Sequence, residues 1–195
     1  MEFDEVVRRR HMVRRYLPDP VPDATLSALL DTARRGPSAG YSQGQSFVAV
    51  TDPGLRAQIA TLCAEESYLA RGFEPWISSA PVLVVVCTSR QAYAERYAEA
   101  DKLGPGAEPS WPIPFWYVDA GCALMLLLLA AVDHGLAAGV LRVRDEDGLR
   151  ALLGIPEGEQ PVAIVTVGKA ATDRRSGSLD RGRRPFDEVV HRNGW

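Results

Sequence analysis

The chain has 195 residues, of which 46% are hydrophobic, and a formal net charge of −3. This length and apolar content predict one globular domain, residues 1–195, or one subunit of an oligomer, and they exclude a disordered chain. The longest apolar run, residues 120–132, is short for a membrane span, and nothing at the N-terminus resembles a signal peptide. We therefore expect a cytoplasmic protein with no membrane partner.

Arginine is concentrated in two segments near the two ends of the chain. Residues 8–15 and 174–184 together hold ten arginines and one acid, Asp180, which leaves 12 basic and 24 acidic residues elsewhere. A chain that is otherwise this acidic is not expected to bind nucleic acid over a broad face. The two segments are instead expected to converge on one compact anion, for which phosphate suits the guanidinium group.

The first part of the chain predicts helices that alternate with loops and one strand. Apolar spacing and proline positions favour helices over residues 2–10 and 23–35, and a third over 53–71. A loop rich in small and amide residues, 38–45, precedes a strand at 47–50. Loops that lie between a helix and a buried strand commonly carry function.

The middle of the chain contains the clearest strand and the longest apolar helix. Residues 81–87 are almost all apolar, as expected of a strand at the centre of a sheet. The proline- and aromatic-rich stretch 91–117 suits a lid or pocket wall, although a structural loop is an equal alternative. Asp119 is expected to cap a buried helix over 120–132, which Gly135 ends.

The last part predicts a turn, a helix, a strand and an arm. The turn covers residues 135–140, the helix 145–153 and the strand 162–167, and a polar C-terminal arm extends over 170–195. The cysteines, Cys63, Cys87 and Cys122, are widely spaced and odd in number, which predicts free thiols. The histidines, His11, His134 and His191, lack metal-ligand spacing, so no metal site is expected.

Taken in order, these segments resemble the flavin-dependent nitroreductase family over nearly the whole chain. Residues 10–14 are similar to the family's Arg-x-Ser-x-Arg/Lys segment, and 36–43 to its Pro-Ser-Ala-x-Asn-x-Gln-Pro loop. Further similar pieces occur in the family's order, namely Asp119-Ala120-Gly121, Leu129-Ala130-Ala131, Gly135-Leu136, Leu153-Gly154-Ile155-Pro156, the strand that ends at Gly168 and the segment 183–190. Met12 departs from the family's serine, and Tyr41 and Gly44-Gln45 depart from its asparagine and Pro-Trp.

The resemblance implies an α+β fold in which helices flank a central, mostly antiparallel sheet, with a long buried helix in a homodimer and FMN at the subunit interface. It also implies roles for particular residues in binding FMN. The phosphate would be held by Arg10, His11, Arg14 and the Met12 backbone, with Arg181 or Arg183 joining from the arm of the same subunit or of the partner. The flavin ring would be bordered by Pro37, Ser38, Ala39, Gln43 and the backbone N–H groups near Gly139. Ser38 is alternatively a turn residue.

The function implied is an FMN-dependent oxidoreductase with no catalytic side chain of its own, because the flavin carries the chemistry. NAD(P)H would reduce the flavin, and a nitroaromatic, quinone or similar small acceptor would reoxidise it by a ping-pong mechanism. Tyr41, Trp111 and Phe115 would face the substrate pocket, although Trp111 and Phe115 could equally shield the core. Two alternatives remain: a specialised flavoenzyme of the same fold (a dehalogenase, an oxidase or a flavin-cleaving enzyme), and a flavin-binding or sensing protein with little turnover.

Overall fold

A computed structural model describes residues 1–103, 110–172 and 176–195 of the chain. Four strands form one sheet in the order β1-β2-β4-β3, and every neighbouring pair is antiparallel. The strands are β1 (Gln45–Val50), β2 (Val82–Thr88), β3 (Ala137–Leu141) and β4 (Gln160–Gly168). The helices are α1 (Phe3–Arg9), α2 (Asp23–Ala33), α3 (Pro53–Leu62), α4 (Glu66–Leu69), α5 (Arg90–Tyr97), α6 (Phe115–Asp133) and α7 (Glu146–Leu153).

The sheet separates two hydrophobic clusters, and β2 contributes to both because successive side chains point to opposite faces. Leu83 and Val85 pack on one side with Ile59 and Trp76, whereas Val84 faces the other side. The second cluster is built by α2 and α6. All seven residues of β2 are buried, which confirms the prediction of a central strand covered on both faces.

Helix α6 begins four residues earlier than Asp119, which corrects the prediction that this acid caps it. Pro114 occupies the N-cap position, and Asp119 lies inside the helix, 5% exposed. The helix ends as predicted: Gly135 has φ 71°, the left-handed conformation that commonly follows a helix. By length and hydropathy alone α6 could also cross a membrane, and 44% of its apolar stretch is buried inside the domain.

Two other segments differ from their predicted structure. The helix expected over 53–71 breaks after α3, where Ala64 takes a positive φ of 53° and redirects the chain into the short α4. The turn expected over 135–140 contains most of β3 instead. Small residues suit this strand because Gly139 lies against another backbone segment: a Cβ there would come within 2.5 Å of the Val13 carbonyl oxygen.

In its described part, the predicted lid over 91–117 is helical only at its two ends. Its first part belongs to α5, whose Tyr93 is fully buried, and its last part opens α6. Residues 104–109 lie outside the described ranges. Of the C-terminal arm, the described residues 176–195 are almost all exposed and contain two 3-10 turns, Gly177–Arg181 and Phe186–Glu188.

Candidate active site at the edge of β3

Residues 10–14 run along the outer edge of β3, the last strand of the sheet. Met12 forms a parallel bridge with Ala138, and the Val13 N–H donates to the Ala138 carbonyl oxygen over 3.1 Å. Val13 is 1% exposed and points into the core, so its neighbours Met12 and Arg14 project away from it. The strand edge is thereby covered, and the arginines are placed beside it on a fixed backbone.

The same segment lines a cavity of about 440 Å³, which we call the clamp cavity. Its other wall is formed by chain that follows β4. The lining residues are Arg10, His11, Met12, Val13, Arg14, Ala170, Ala171, Ser176, Ser178 and Leu179. Two guanidinium groups and two hydroxyl groups thus border one space that no described carboxylate lines. This set of donors fits a phosphate group.

Arg14 is held in place by an aromatic platform that sequence reasoning missed. Its guanidinium carbon lies 5.6 Å from the ring centroid of Trp76, which is 1% exposed. The Trp76 backbone is in turn fixed by Glu65, a buried acid whose Oε1 accepts hydrogen bonds from the N–H groups of Trp76 and Ile77 over 2.8 and 2.6 Å. Glu65 also accepts from the backbone and hydroxyl of Ser78. A buried carboxylate therefore sets the position of a cavity arginine.

His11 lines the clamp cavity but contributes less to it than the arginines. Its Nδ1 lies 2.8 Å from the Arg9 carbonyl oxygen, which can only accept a hydrogen bond, so Nδ1 carries a proton. In the neutral ring Nε2 is then an acceptor. His11 can donate to a phosphate through Nε2 only as the imidazolium.

The loop at residues 37–45 has a strained backbone that is anchored from several sides. Tyr41 and Gln43 have backbone φ angles of 60° and 50°, values that residues other than glycine rarely adopt. The Ser38 hydroxyl accepts a hydrogen bond from the Gln43 N–H over 3.0 Å, which fits the turn role left open for it. The Ala39 N–H donates to Asp119 Oδ2 over 2.8 Å. The loop is thus held in one conformation while the Tyr41 side chain remains 73% exposed.

An aromatic cluster packs against this loop. Trp111 lies 4.6 Å from Tyr97 and 6.3 Å from Phe115, measured between ring centroids. The Tyr97 ring packs so closely on Gly40 that a Cβ there would come within 2.6 Å of it. Trp111 is half-buried and Phe115 is 41% exposed. The structure therefore brings these two predicted pocket residues together behind the loop that carries Tyr41.

Two of the predicted ligand contacts are not supported by their placement. The Gly139 N–H donates to the Thr166 hydroxyl over 3.1 Å inside the sheet, so it is not available to a ligand. Arg181 and Arg183 are exposed and do not line the clamp cavity of their own chain, to which the arm contributes Ser176 and Ser178. That one of them joins the phosphate site of a partner subunit stays a prediction. Among the described residues, no group of three His, Cys, Asp or Glu side chains is arranged to hold a metal ion.

Comparison with known proteins assigns this architecture. The sequence model described as "Nitroreductase family" matches residues 7–169. The chain belongs to the nitroreductase family. Its α+β fold agrees with this assignment, because the antiparallel sheet with helices on both faces is the one that the resemblance predicted.

Three relatives show how far the nitroreductase similarity extends. The chain is 26% identical to an iodotyrosine deiodinase of Nematostella vectensis over 97% of this chain and 74% of that protein. It is 27% identical to an NADH dehydrogenase of Thermus thermophilus over 93% and 91% of the two chains. The solved NADPH:FMN oxidoreductase of Vibrio harveyi, complexed with NAD+, superposes with a TM-score of 0.76 at 21% identity, covering 99% and 77%. As a member of this family with such relatives, the protein is an oxidoreductase.

Proposed function

We propose that the protein is an FMN-dependent oxidoreductase that uses NAD(P)H to reduce nitroaromatics, quinones or similar small acceptors by ping-pong turnover. The observation that carries the proposal is the clamp cavity, where Arg10 and Arg14 line one space together with Ser176 and Ser178. The named activities of the Thermus thermophilus and Vibrio harveyi relatives point the same way. When bound, FMN supplies two-electron redox chemistry between NAD(P)H and the acceptor.

In this proposal the chain's own residues bind and orient the cofactor. Arg10 and Arg14 hold the phosphate, and Trp76 limits the positions that Arg14 can take. The loop at 37–43 borders the ring, where its anchored backbone excludes water and Tyr41 faces the acceptor. The Met12 backbone lies in the strand edge, and its side chain offers no hydroxyl, so the arginines carry more of the phosphate binding.

The two halves of this site lie at opposite ends of α6 within one chain. The loop contacts α6 at Asp119. Residues 10–14, which we call the clamp segment, lie at the other end of α6, where His11 and Val13 border a small cavity with Val132. The helical rise places these two positions roughly 20 Å apart. If two copies pair their α6 helices antiparallel about a twofold axis, the clamp of one copy faces the loop of the other. We therefore propose a homodimer with FMN between the subunits.

The exposed face of α6 fits such a pairing. Val118 and Met125 are each 46% exposed, and Gly121 between them is exposed too. The spacing of three and four residues places them on one stripe of the helix. An apolar stripe of this kind is what a second copy of the same helix would cover.

The Met125→Glu variant tests the dimer. At a twofold contact the new carboxylate of one copy lies opposite the same carboxylate of the other copy, and the two negative charges repel. We therefore expect the dimer dissociation constant to rise at least tenfold, which is a loss of about 1.4 kcal/mol of binding free energy. Light scattering after size-exclusion chromatography measures the mass. Ala151→Glu adds the same charge at an exposed position of α7, on the other side of the sheet, and should leave the mass unchanged. A wild-type monomer, or equal behaviour of the two variants, would contradict the pairing.

The Arg10→Ala and Arg14→Ala variants test the phosphate clamp. Each removes one charged hydrogen-bonding group, so FMN affinity should fall roughly tenfold to thirtyfold, about 1.5–2 kcal/mol. Fluorescence titration of the apoprotein with FMN measures this, and Arg8→Ala, an exposed arginine outside the cavity, is the matched control. Unchanged affinity in both variants would refute the phosphate clamp, and a purified protein that takes up no FMN would refute the cofactor assignment.

Stopped-flow reduction of the bound flavin by NADPH and by NADH then separates an enzyme from a flavin-binding protein. No reduction by either on a timescale of seconds would favour the binding or sensing alternative. Reductive dehalogenation is the second candidate, because one relative is named an iodotyrosine deiodinase. An acceptor panel that includes nitroaromatics, quinones and iodophenols, with halide release measured, distinguishes the two activities.

A further inference from the structure

A second cavity of about 440 Å³ lies beyond the C-terminal end of β3, and we call it the arginine cavity. Three arginines line it: Arg71 after α4, and Arg142 and Arg144 after β3. Its other lining residues are Cys63, Ser67, Tyr68 and Leu141, none of which carries a charge at neutral pH. Three positive charges thus border one space together with a hydroxyl group and an aromatic ring.

Two of the three guanidinium groups are held in place by neutral partners. Arg71 Nε donates to the Ser67 carbonyl oxygen over 2.9 Å, and its guanidinium carbon lies 4.8 Å from the Tyr68 ring centroid. Arg144 Nη1 lies 3.4 Å from the Ser67 hydroxyl oxygen. These contacts orient the positive charges without neutralising them. An incoming anion would therefore find donors that are already ordered.

None of these three arginines forms an ion pair with any residue in the described parts of the chain. Some arginines elsewhere in the protein are paired with acids, as in Arg9 with Glu5 and Arg150 with Glu146. Arginine is always protonated, so the three charges repel one another when no anion is present. What distinguishes these three arginines is that they border one cavity together and no carboxylate is among its described lining residues.

Nearby groups neither neutralise the cavity nor give it covalent chemistry. Among the acids next to the lining residues in the chain, Glu65 accepts hydrogen bonds from the backbone of residues 76–78, and Asp145 accepts one from the Gly148 N–H at the start of α7. Glu66 is exposed at the start of α4. Burial raises the pKa of the Cys63 thiol to about 11, although Arg144 opposes this shift, so Cys63 remains a protonated thiol near neutral pH. The cavity is built to bind a ligand and not to attack one.

Trp76 links the arginine cavity to the clamp cavity, because it packs against one lining residue of each. Arg14 stacks on Trp76, and the Trp76 ring centroid lies 5.6 Å from that of Tyr68, which lines the arginine cavity. Along β3, the clamp segment pairs with Ala138 and the arginine cavity begins at Leu141 and Arg142. At the usual rise of a strand, Ala138 and Arg142 are about 13 Å apart. A molecule that reacts with a cofactor held by the clamp could therefore extend an anionic group into the second cavity.

We infer that Arg71, Arg142 and Arg144 form a second anion site, which binds a carboxylate or phosphate group of the molecule that reacts with the bound cofactor. The inference rests on the proposed function for the identity of that molecule. The anion belongs either to the acceptor, as a carboxylate, or to the nicotinamide reductant, as a phosphate. Bidentate guanidinium contacts fit both groups, and the Tyr68 ring offers a face for a planar ligand.

Direct binding to the purified, FMN-loaded protein tests the site without turnover. Calorimetric titration uses two probes, 4-nitrobenzoate and inorganic pyrophosphate, with 4-nitrobenzyl alcohol as the neutral counterpart of the first. We expect at least one of the two anions to bind more tightly than the alcohol. The Arg71→Gln/Arg142→Gln double variant should weaken that binding at least tenfold, because two charged contacts are lost.

The single variant Arg142→Gln also tests the anion site. Because the Arg142 side chain is exposed, this variant is expected to fold as the wild type does. Arg34→Gln removes one arginine charge on the opposite side of the sheet, and it should leave binding unchanged. A rise in KM for 4-nitrobenzoate assigns the site to the acceptor. A rise in KM for NADPH and NADH alike assigns it to the diphosphate of the reductant, and a rise for NADPH alone assigns it to the 2′-phosphate.

The inference is overturned if neither anion binds the wild-type protein, or if both variants bind as tightly as the wild type does. Its failure is distinct from failure of the proposed function. A protein that contains FMN and is reduced by NAD(P)H, yet binds neither anion, loses only the second site. A protein that takes up no FMN loses the proposed function, while the binding titration still decides whether the arginines form an anion site.

Discussion

Replacing Glu65 with alanine is expected to lower the free energy of unfolding by about 4 kcal/mol, because four hydrogen bonds to one buried carboxylate are lost together. Two of the donors, the N–H groups of Trp76 and Ile77, belong to residues that are at most 1% exposed. Water cannot readily replace the lost acceptor there. The loss would be a large part of the stability of an ordinary domain, and urea denaturation followed by tryptophan fluorescence measures it.

Two further variants separate the hydrogen bonds from the charge. Glu65→Gln keeps an oxygen that can accept from the same N–H groups, so we expect a loss of only about 1–2 kcal/mol. Glu66→Ala changes the exposed neighbour at the start of α4 and should stay within about 0.5 kcal/mol of the wild type. If Glu65→Ala were no less stable than Glu66→Ala, the buried carboxylate would not be what fixes residues 76–78.

The same variant connects stability to the site. Trp76 supplies the platform under Arg14, so loosening its backbone should also weaken FMN binding, even under conditions where the domain remains folded. Sequence reasoning had no signal for this role. The sequence predicts a continuous helix over 53–71, in which an acid at position 65 is expected to face solvent. The helix instead breaks at Ala64, and Glu65 turns inward because of tertiary contacts.

The elements with a strong local pattern were predictable. The apolar strand β2, the short helix α7 with Asp145 at its N-cap, and the end of α6 at Gly135 follow from side-chain polarity and capping chemistry. The errors occur where tertiary packing overrides the local pattern. Residues 137–141 are small, which suggests a turn, yet they form a strand because the clamp segment needs close access to Gly139.

The sequence predicts that two arginine segments converge on one anion, and only the first of them lines the clamp cavity within one chain. Arg10 and Arg14 border it, whereas the arm of the same chain contributes Ser176 and Ser178. When two segments are far apart in the sequence, their residue types do not determine which part of an extended arm packs against the other segment. Gly139 illustrates the same limit, because whether its N–H faces a ligand or the Thr166 hydroxyl depends on strand register.

Asp119 is the second residue whose replacement should have a large effect. It is buried inside α6, where its Oδ2 accepts hydrogen bonds from the Tyr93 hydroxyl over 2.7 Å and from the Ala39 N–H over 2.8 Å. Burial raises the pKa of the Tyr93 phenol, and the Asp119 carboxylate adds to the shift, so the phenol remains a protonated donor. One carboxylate thus joins α5, α6 and the loop at 37–43.

We expect Asp119→Ala to lower the free energy of unfolding by about 3 kcal/mol, since both donors lose a charged acceptor. Thermal and urea unfolding of the apoprotein measure this loss. Tyr93→Phe is the matched variant: it removes one of the two hydrogen bonds and keeps the ring, so its cost should be about 1 kcal/mol. Equal stability of Asp119→Ala and the wild type would mean that the carboxylate does not anchor α5 and the loop.

The effect of Asp119→Ala on cofactor binding decides whether the loop belongs to the flavin site. Tyr41 and Gln43 hold backbone conformations that only surrounding contacts can maintain, and the Ala39 anchor is one of those contacts. Releasing it should let the loop relax and should weaken FMN binding about tenfold, whereas Tyr93→Phe, which leaves that anchor intact, should bind FMN nearly as the wild type does. If the two variants bind FMN equally well although Asp119→Ala is the less stable, the loop supports the fold and does not border the flavin.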